Sequence, residues 1–180
     1  MLILHYHSLE QKGDLLPTLW SRLIEDDPPP WFWGNVPPLS LTDFVCLFSS
    51  HEKQLFLIVT PEVNEFVAIF YLDQLRWQQS ARAHFYFFRR WRRWLGLRGL
   101  CRRVLRIVAG PPFGCQTLLF YLDQRAAEVK RFAEALGVIF IGAVPDYYPD
   151  APPVDVGYLS LKGMCHGIKQ SAAGDVGVGV

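Results

Sequence analysis

Residues 88–99 read Phe-Arg-Arg-Trp-Arg-Arg-Trp-Leu-Gly-Leu-Arg-Gly, or FRRWRRWLGLRG. Downstream, Leu97, Leu100, Cys101, Val104, Leu105 and Val108 recur three and four apart, while Arg98, Arg102 and Arg106 fall between them. That spacing is the apolar stripe and charged back of an amphipathic helix. Upstream, Arg82–Phe88 reads as a strand. The stretch is therefore a strand-to-helix turn, and it divides a strand-rich first half from a second half in which helices and strands alternate.

Working back from the turn, Gln54–Thr60, Glu65–Leu72 and Arg82–Phe88 are strands joined by connections too short for a helical crossover, which predicts an antiparallel meander. Leu2–Leu9 reads as a first strand. Leu15, Leu16, Leu19, Trp20, Leu23 and Ile24 make a helix stripe with Asp14 as its cap. The prolines within Asp26–Trp33 end that helix, because proline lacks the amide hydrogen and restricts the residue before it. Leu39–Phe48 is expected to form a shorter helix capped by Ser40 or Thr42.

Working forward, Ala109–Gly114 stops the long helix, and Gln116–Leu122 is a strand with so little polar alternation that burial on both faces is expected. Asp123 is the expected cap of a helix burying Ala126, Val129, Phe132, Ala133 and Leu136, and Gly137 ends it. Val138–Ile141 is a strand, Pro145–Pro153 a loop and Val156–Leu161 the last strand. Strand, helix, strand, helix, strand implies right-handed crossovers that lay both helices on a sheet. The fold class expected is a single α/β domain, a mixed sheet flanked by helices over residues 1–162, with a polar, Gly-rich tail over 163–180.

Composition narrows the function classes. The chain has 180 residues, 51% of them hydrophobic, so one sizeable core is expected and wholesale disorder is not. Lys plus Arg number 18 against 17 Asp plus Glu. Such a balance does not describe a protein coated in nucleic acid, although it permits a local basic patch. No apolar run approaches the roughly 18 residues of a membrane span, so no membrane partner is expected. Cys46, Cys101, Cys115 and Cys165 are scattered, and no secretory leader is apparent, which suggests reduced thiols and a cytoplasmic setting.

His5, His7 and His84 lack metal-motif spacing, so no metal site is expected. Cys165 and His166 are adjacent, but adjacency does not make a catalytic dyad without a base in reach and a group to orient it. The arginines at 89, 90, 92, 93, 98, 102, 103 and 106 are nearly half of all basic residues. With Trp91 and Trp94 they admit three readings: a stacking platform for single-stranded nucleic acid, a basic face for solvent or a partner, and a phosphate site. The turn favours phosphate over bases. A helix N-terminus offers unpaired amides to an anion, Gly96 and Gly99 allow close approach, and Arg90, Arg92 or Arg93 would supply charge.

In element order the chain resembles the GNAT superfamily of N-acyltransferases. That family's cofactor pattern is Arg or Gln, two residues, Gly, one residue, then Gly or Ala. Arg93-Trp-Leu-Gly96-Leu-Arg98 matches at Arg93 and Gly96 and departs at Arg98. Arg125–Val138, followed by Ile139–Tyr148, resembles the family's fourth helix, its Leu-Gly end and the strand leading into a Tyr-containing loop. Ala126 and Ala133 stand where the family often has Asn and its acid Tyr.

The resemblance implies acetyl-CoA or another acyl-CoA held between the fourth and fifth strands, with Phe85, Phe87, Phe88, Arg92, Arg93, Gly96 and Arg98 as cofactor-binding residues. It implies transfer of an acyl group to a small-molecule or protein amine. Glu65, His84 and Tyr86 are the candidate bases and Tyr121 the substitute acid, because they lie on the central strands. The degenerate motif also admits a second reading, a catalytically inactive GNAT-like module with a protein partner, for which Trp31-Phe-Trp33 and the basic face are the expected contact surface.

Overall fold

The sheet is built around a meander whose strands carry apolar side chains on both faces. In the computed structural model, which describes residues 1–33, 37–61, 65–145, 147 and 153–164, without the side chains of Pro30 and Trp31, β2 (Gln54–Thr60) is buried along its whole length. It pairs antiparallel with β3 (Glu65–Arg76), which pairs antiparallel with β4 (Ser80–Phe87). The meander is the one expected, with its first strand at the expected bounds and the other two longer. With β1 (Leu2–His5), β5 (Thr117–Asp123), β6 (Ile139–Val144) and β7 (Val154–Ser160), the order is β1-β2-β3-β4-β5-β7-β6 in one seven-stranded mixed sheet. Cys165, His166 and the tail from 165 onward lie outside the described residues, as does most of the 145–153 loop.

Helices cover both faces and divide the apolar residues into two cores. On one face, α1 (Leu15–Asp26) and α2 (Leu41–Ser49) set Leu16, Leu19, Leu23, Phe44 and Phe48 against Leu55, Leu57, Ile69 and Tyr71. On the other, α3 (Leu97–Ala109) and α4 (Ala127–Leu136) set Leu100, Val104, Val108 and Ala133 against Phe56, Phe70, Leu118 and Phe120. Burying a side chain such as Val104 contributes about 2 kcal/mol, so the α3 stripe is what holds that helix to the sheet.

Helix ends follow local chemistry. Ser40 Oγ accepts the amide hydrogen of Asp43 at 3.1 Å and caps α2, settling the choice between Ser40 and Thr42. Asp14 stands at the start of α1 without a side-chain cap bond. The α1 helix stops where Asp27 takes a left-handed φ of 50° ahead of three prolines. Gly137 ends α4 at φ 101°, a conformation glycine adopts without Cβ strain.

Four expectations need correction. The first strand stops at His5, because the chain turns through a 3₁₀ segment at Tyr6–Ser8 to bury the Tyr6 ring. Asp123 does not cap α4; its carboxylate accepts from the amide and guanidinium of Arg125, and the helix starts at Ala127. Burial along β5 alternates, with Thr117, Leu119 and Tyr121 only half-buried. Finally, β7 lies between β5 and β6, antiparallel to both, so the crossover through α4 does not join neighbouring strands.

Candidate active site

The decisive geometry is a parting of two parallel strands. Ser80, Ala81 and Arg82 of β4 pair with Thr117, Leu118 and Leu119 of β5, and the pairing goes no further. Beyond it the strands separate, leaving residues 83–87 on one wall and Phe120, Tyr121 and Leu122 on the other of a cavity of about 380 Å³. Leu97 and Arg92 close it at the α3 end, Glu128, Phe132 and Ala133 of α4 form its flank, and Pro29 and Phe32 reach it from the opposite face of the sheet. The volume is that of a small-molecule site, and the lining is mostly apolar, as such sites are.

Of the expected catalytic residues, His84, Tyr86 and Tyr121 line this cavity, and Glu65 does not. Glu65 sits at the start of β3 and accepts from Arg90 Nη1 at 3.0 Å through both carboxylate oxygens. Of the expected cofactor residues, Phe85, Phe87 and Arg92 line the cavity. Phe88 is buried instead in the α1/α2 core and stacks on Phe66. Arg93 and Arg98 are exposed, with Arg98 on the solvent side of α3, so it does not crowd the cleft.

His84 is a buried imidazole. Its ring stacks on Tyr71 at 4.2 Å between centroids, nearly parallel. Burial lowers its pKa, Asp73 opposes that shift, and Arg82 and Lys53 add to it. Nε2 lies 3.3 Å from Asp73 Oδ1 but off the line of a full hydrogen bond. A carboxylate on that side favours the proton at Nε2 and leaves the lone pair on Nδ1.

Asp73 is committed elsewhere. Arg82 Nε and Nη2 donate to its two oxygens at 2.7 and 2.5 Å, a bidentate pair inside the sheet. Burial alone would raise the Asp73 carboxyl, but Arg82 and His84 outweigh it and hold it well below the usual range. Arg82 also donates to Tyr147 Oη at 3.0 Å, and Tyr147 stacks on Tyr121 with centroids 5.0 Å apart. Tyr121 is thereby held against the cleft wall.

Tyr86 belongs to a second network. Its hydroxyl donates to Asp26 Oδ2, while Arg92 Nη2 donates to the same hydroxyl at 3.0 Å and Arg92 Nε donates to the Phe87 carbonyl at 3.0 Å. Burial and then Asp26 raise the Tyr86 pKa. A phenol so held keeps its proton, which makes it a positioning group more than a base.

The turn after β4 leads into α3. Leu97 N donates to Trp94 O at 3.3 Å, and the first full helical bond runs from Leu100 N to Gly96 O. Among the described residues, no backbone carbonyl accepts from the amides of Arg98 and Gly99 at the head of α3. The Trp94 indole rests on Gly96, where a Cβ would lie 2.1 Å from the ring and displace it. Gly99 faces open space. The cleft, the free edge of β4 and these amides suit a long ligand that ends in phosphate. Among the described residues, no three His, Cys, Asp or Glu side chains gather as a metal cage.

Reading the sequence alone misses Asp26, Asp73, Arg82 and Tyr147: Asp73 meets Arg82 across the β3–β4 hairpin, Arg82 reaches Tyr147, and Asp26 at the end of α1 meets Tyr86. It also misreads Trp31-Phe-Trp33. Phe32 and Trp33 are buried in the α1/α2 core, Phe32 reaches the cleft, and the Trp31 side chain lies outside the described residues.

No protein-family model and no curated protein sequence matches the chain. Solved structures do. A chimera of the spermidine N-acetyltransferase SpeG from Vibrio cholerae superposes with a TM-score of 0.72 at 13% identity, covering 91% of this chain and 99% of that one. The Vibrio cholerae spermidine N-acetyltransferase in complex with CoA and spermine gives 0.70 at 13% identity over 91% and 96%. The same enzyme with manganese ions gives 0.68 at 13% over 89% and 92%. At such identity the likeness speaks to architecture, and this chain has the fold of the GNAT superfamily.

Proposed function

We propose that the protein is an acyl-CoA-dependent N-acyltransferase that transfers an acetyl or other acyl group to an amine. The observation that carries this reading is the end of β4–β5 pairing at Arg82 and Leu119, which leaves a mostly apolar cleft beside the helix that follows the arginine-rich turn. An acyl-CoA bound there would supply an activated thioester carbonyl. The unpaired edge of β4 at residues 83–87 would hold the acyl arm as an added strand, and the head of α3 with Arg92 and Arg93 would take the phosphates.

Proton handling falls to two side chains. His84, neutral and with its lone pair on Nδ1, accepts the proton of the attacking amine, and Asp73 offsets the charge that forms. Tyr121 supplies the hydroxyl proton for the leaving sulfur, since Ala133 on the neighbouring helix has none to give. The same Ala133 is the observation that favours the second reading, a catalytically inactive module that makes a protein contact instead.

The test is titration calorimetry with acetyl-CoA, followed by release of free thiol in the presence of a panel of primary amines. Binding that weakens in Arg93→Ala, with thiol release that drops about 100-fold in Tyr121→Phe, supports transferase activity. Absence of thiol release supports the second reading, and no binding by folded protein overturns the transferase.

A further inference from the structure

The charge of this chain is segregated. Phe88–Leu122 holds eight of the 18 basic residues and none of the 17 acidic ones, leaving ten basic against 17 acidic residues elsewhere. In the fold all eight of those arginines are exposed. Arg98, Arg102, Arg103 and Arg106 point outward from α3, and among the described residues none has a carboxylate within ion-pair distance, whereas Arg89, Arg90 and Arg92 each have one.

Helix stability does not account for that stripe. Arg98 and Arg102, like Arg102 and Arg106, are four apart and repel, and Arg98 sits in the first turn, where the helix dipole disfavours a cation. An external polyanion relieves both costs.

Exposed apolar groups adjoin these arginines in the chain. Leu95 is 99% exposed at the tip of the turn, Trp94 is 40% exposed beside it, and Ile107 is 39% exposed next to Arg106. Aliphatic side chains do not stack on bases, and one face of the Trp94 indole is already taken by Gly96. At a lipid surface the same groups are productive, because aliphatic carbons leave water and an indole favours the headgroup level.

We infer that the outer face of α3 and the tip at Trp94–Leu95 form a docking surface for an anionic lipid bilayer, on which the protein lies without crossing it. No helix among the described residues is long and apolar enough to span a membrane, and surface binding is a separate physical state. The sequence-based expectation of no membrane partner concerned a span. This surface does not rest on the acyltransferase reading: Arg92 and Leu97 face the cleft on the inner side of the turn, while Leu95, Arg102 and Arg106 face out.

The experiment is co-sedimentation of the full chain with phosphatidylcholine vesicles, with and without phosphatidylglycerol, at low and high salt, alongside acetyl-CoA calorimetry on the same samples. Binding is expected only to the anionic vesicles, weakening with salt, by about fivefold for each arginine neutralised. Arg102→Glu with Arg106→Glu is expected to weaken it at least tenfold, and Leu95→Ser several-fold, with circular dichroism and acetyl-CoA calorimetry unchanged. Absence of binding to anionic vesicles at low salt overturns the inference. So does wild-type binding by the charge-reversed variant, or single-stranded oligonucleotide binding that is indifferent to Leu95→Ser in a protein that ignores vesicles. Failure of acetyl-CoA binding alone counts against the proposed function and leaves the lipid surface standing.

Discussion

Tyr86, near the end of β4, donates its hydroxyl hydrogen to Asp26 in the last turn of α1, 2.5 Å away, and Asp26 also accepts from the backbone amide of Arg89 at 3.0 Å. One carboxylate thus ties the helix on one face of the sheet to the turn that leads into the helix on the other. Arg92, bonded to the Tyr86 hydroxyl, completes the tie. Tyr86→Phe removes a charge-assisted bond and is expected to lower stability by about 1.5–3 kcal/mol, read by urea denaturation. In a double-mutant cycle, Tyr86→Phe and Arg92→Ala are expected to be non-additive by at least 0.5 kcal/mol, because they share the hydroxyl.

The Arg82–Asp73 pair has both side chains about 6% exposed. Such a pair is weak evidence of net stabilisation, but loss of one partner strands the other charge. Asp73→Asn is expected to destabilise by about 3–5 kcal/mol in urea denaturation. Asp73→Asn together with Arg82→Met is expected to recover most of that loss, since no buried charge remains unpaired.

Acid sensitivity should begin near the ordinary histidine value. His5, His7 and His84 all have pKa values lowered from 6.5, chiefly by burial. The unfolded chain therefore takes up protons at a pH where the native one refuses them. The stability these groups contribute is complete above 6.5 and is lost as pH falls through their lowered native values. Thermal melts are expected to give a flat Tm from pH 7 to 8 and a falling one below about 6.5, with a shallower fall in His84→Gln.

Thiol labelling separates the cysteines. Burial pushes the Cys101 thiol up to about 12 and the Cys115 thiol up to about 11, and both are enclosed, whereas Cys46 is exposed. Iodoacetamide followed by peptide mass spectrometry is expected to modify Cys46 in the folded protein, and Cys101 and Cys115 only once denaturant is added.

Local pattern carried much of the fold. The α3 stripe, the β2–β3–β4 meander and the Gly137 stop all rest on spacing or on single-residue conformational preference, which act over a few neighbours and are written in the order of residues. Sequence also placed His84, Tyr86 and Tyr121 on the central strands. Tertiary structure alone decided which residues meet: that β4 and β5 stop pairing after Arg82 and Leu119, that β7 enters between β5 and β6, and that Asp73 faces Arg82 while Asp26 faces Tyr86. It also turned Phe32 inward. These outcomes depend on strand register and on how two cores fill from opposite faces of the sheet, and both are set by contacts between residues far apart in the chain.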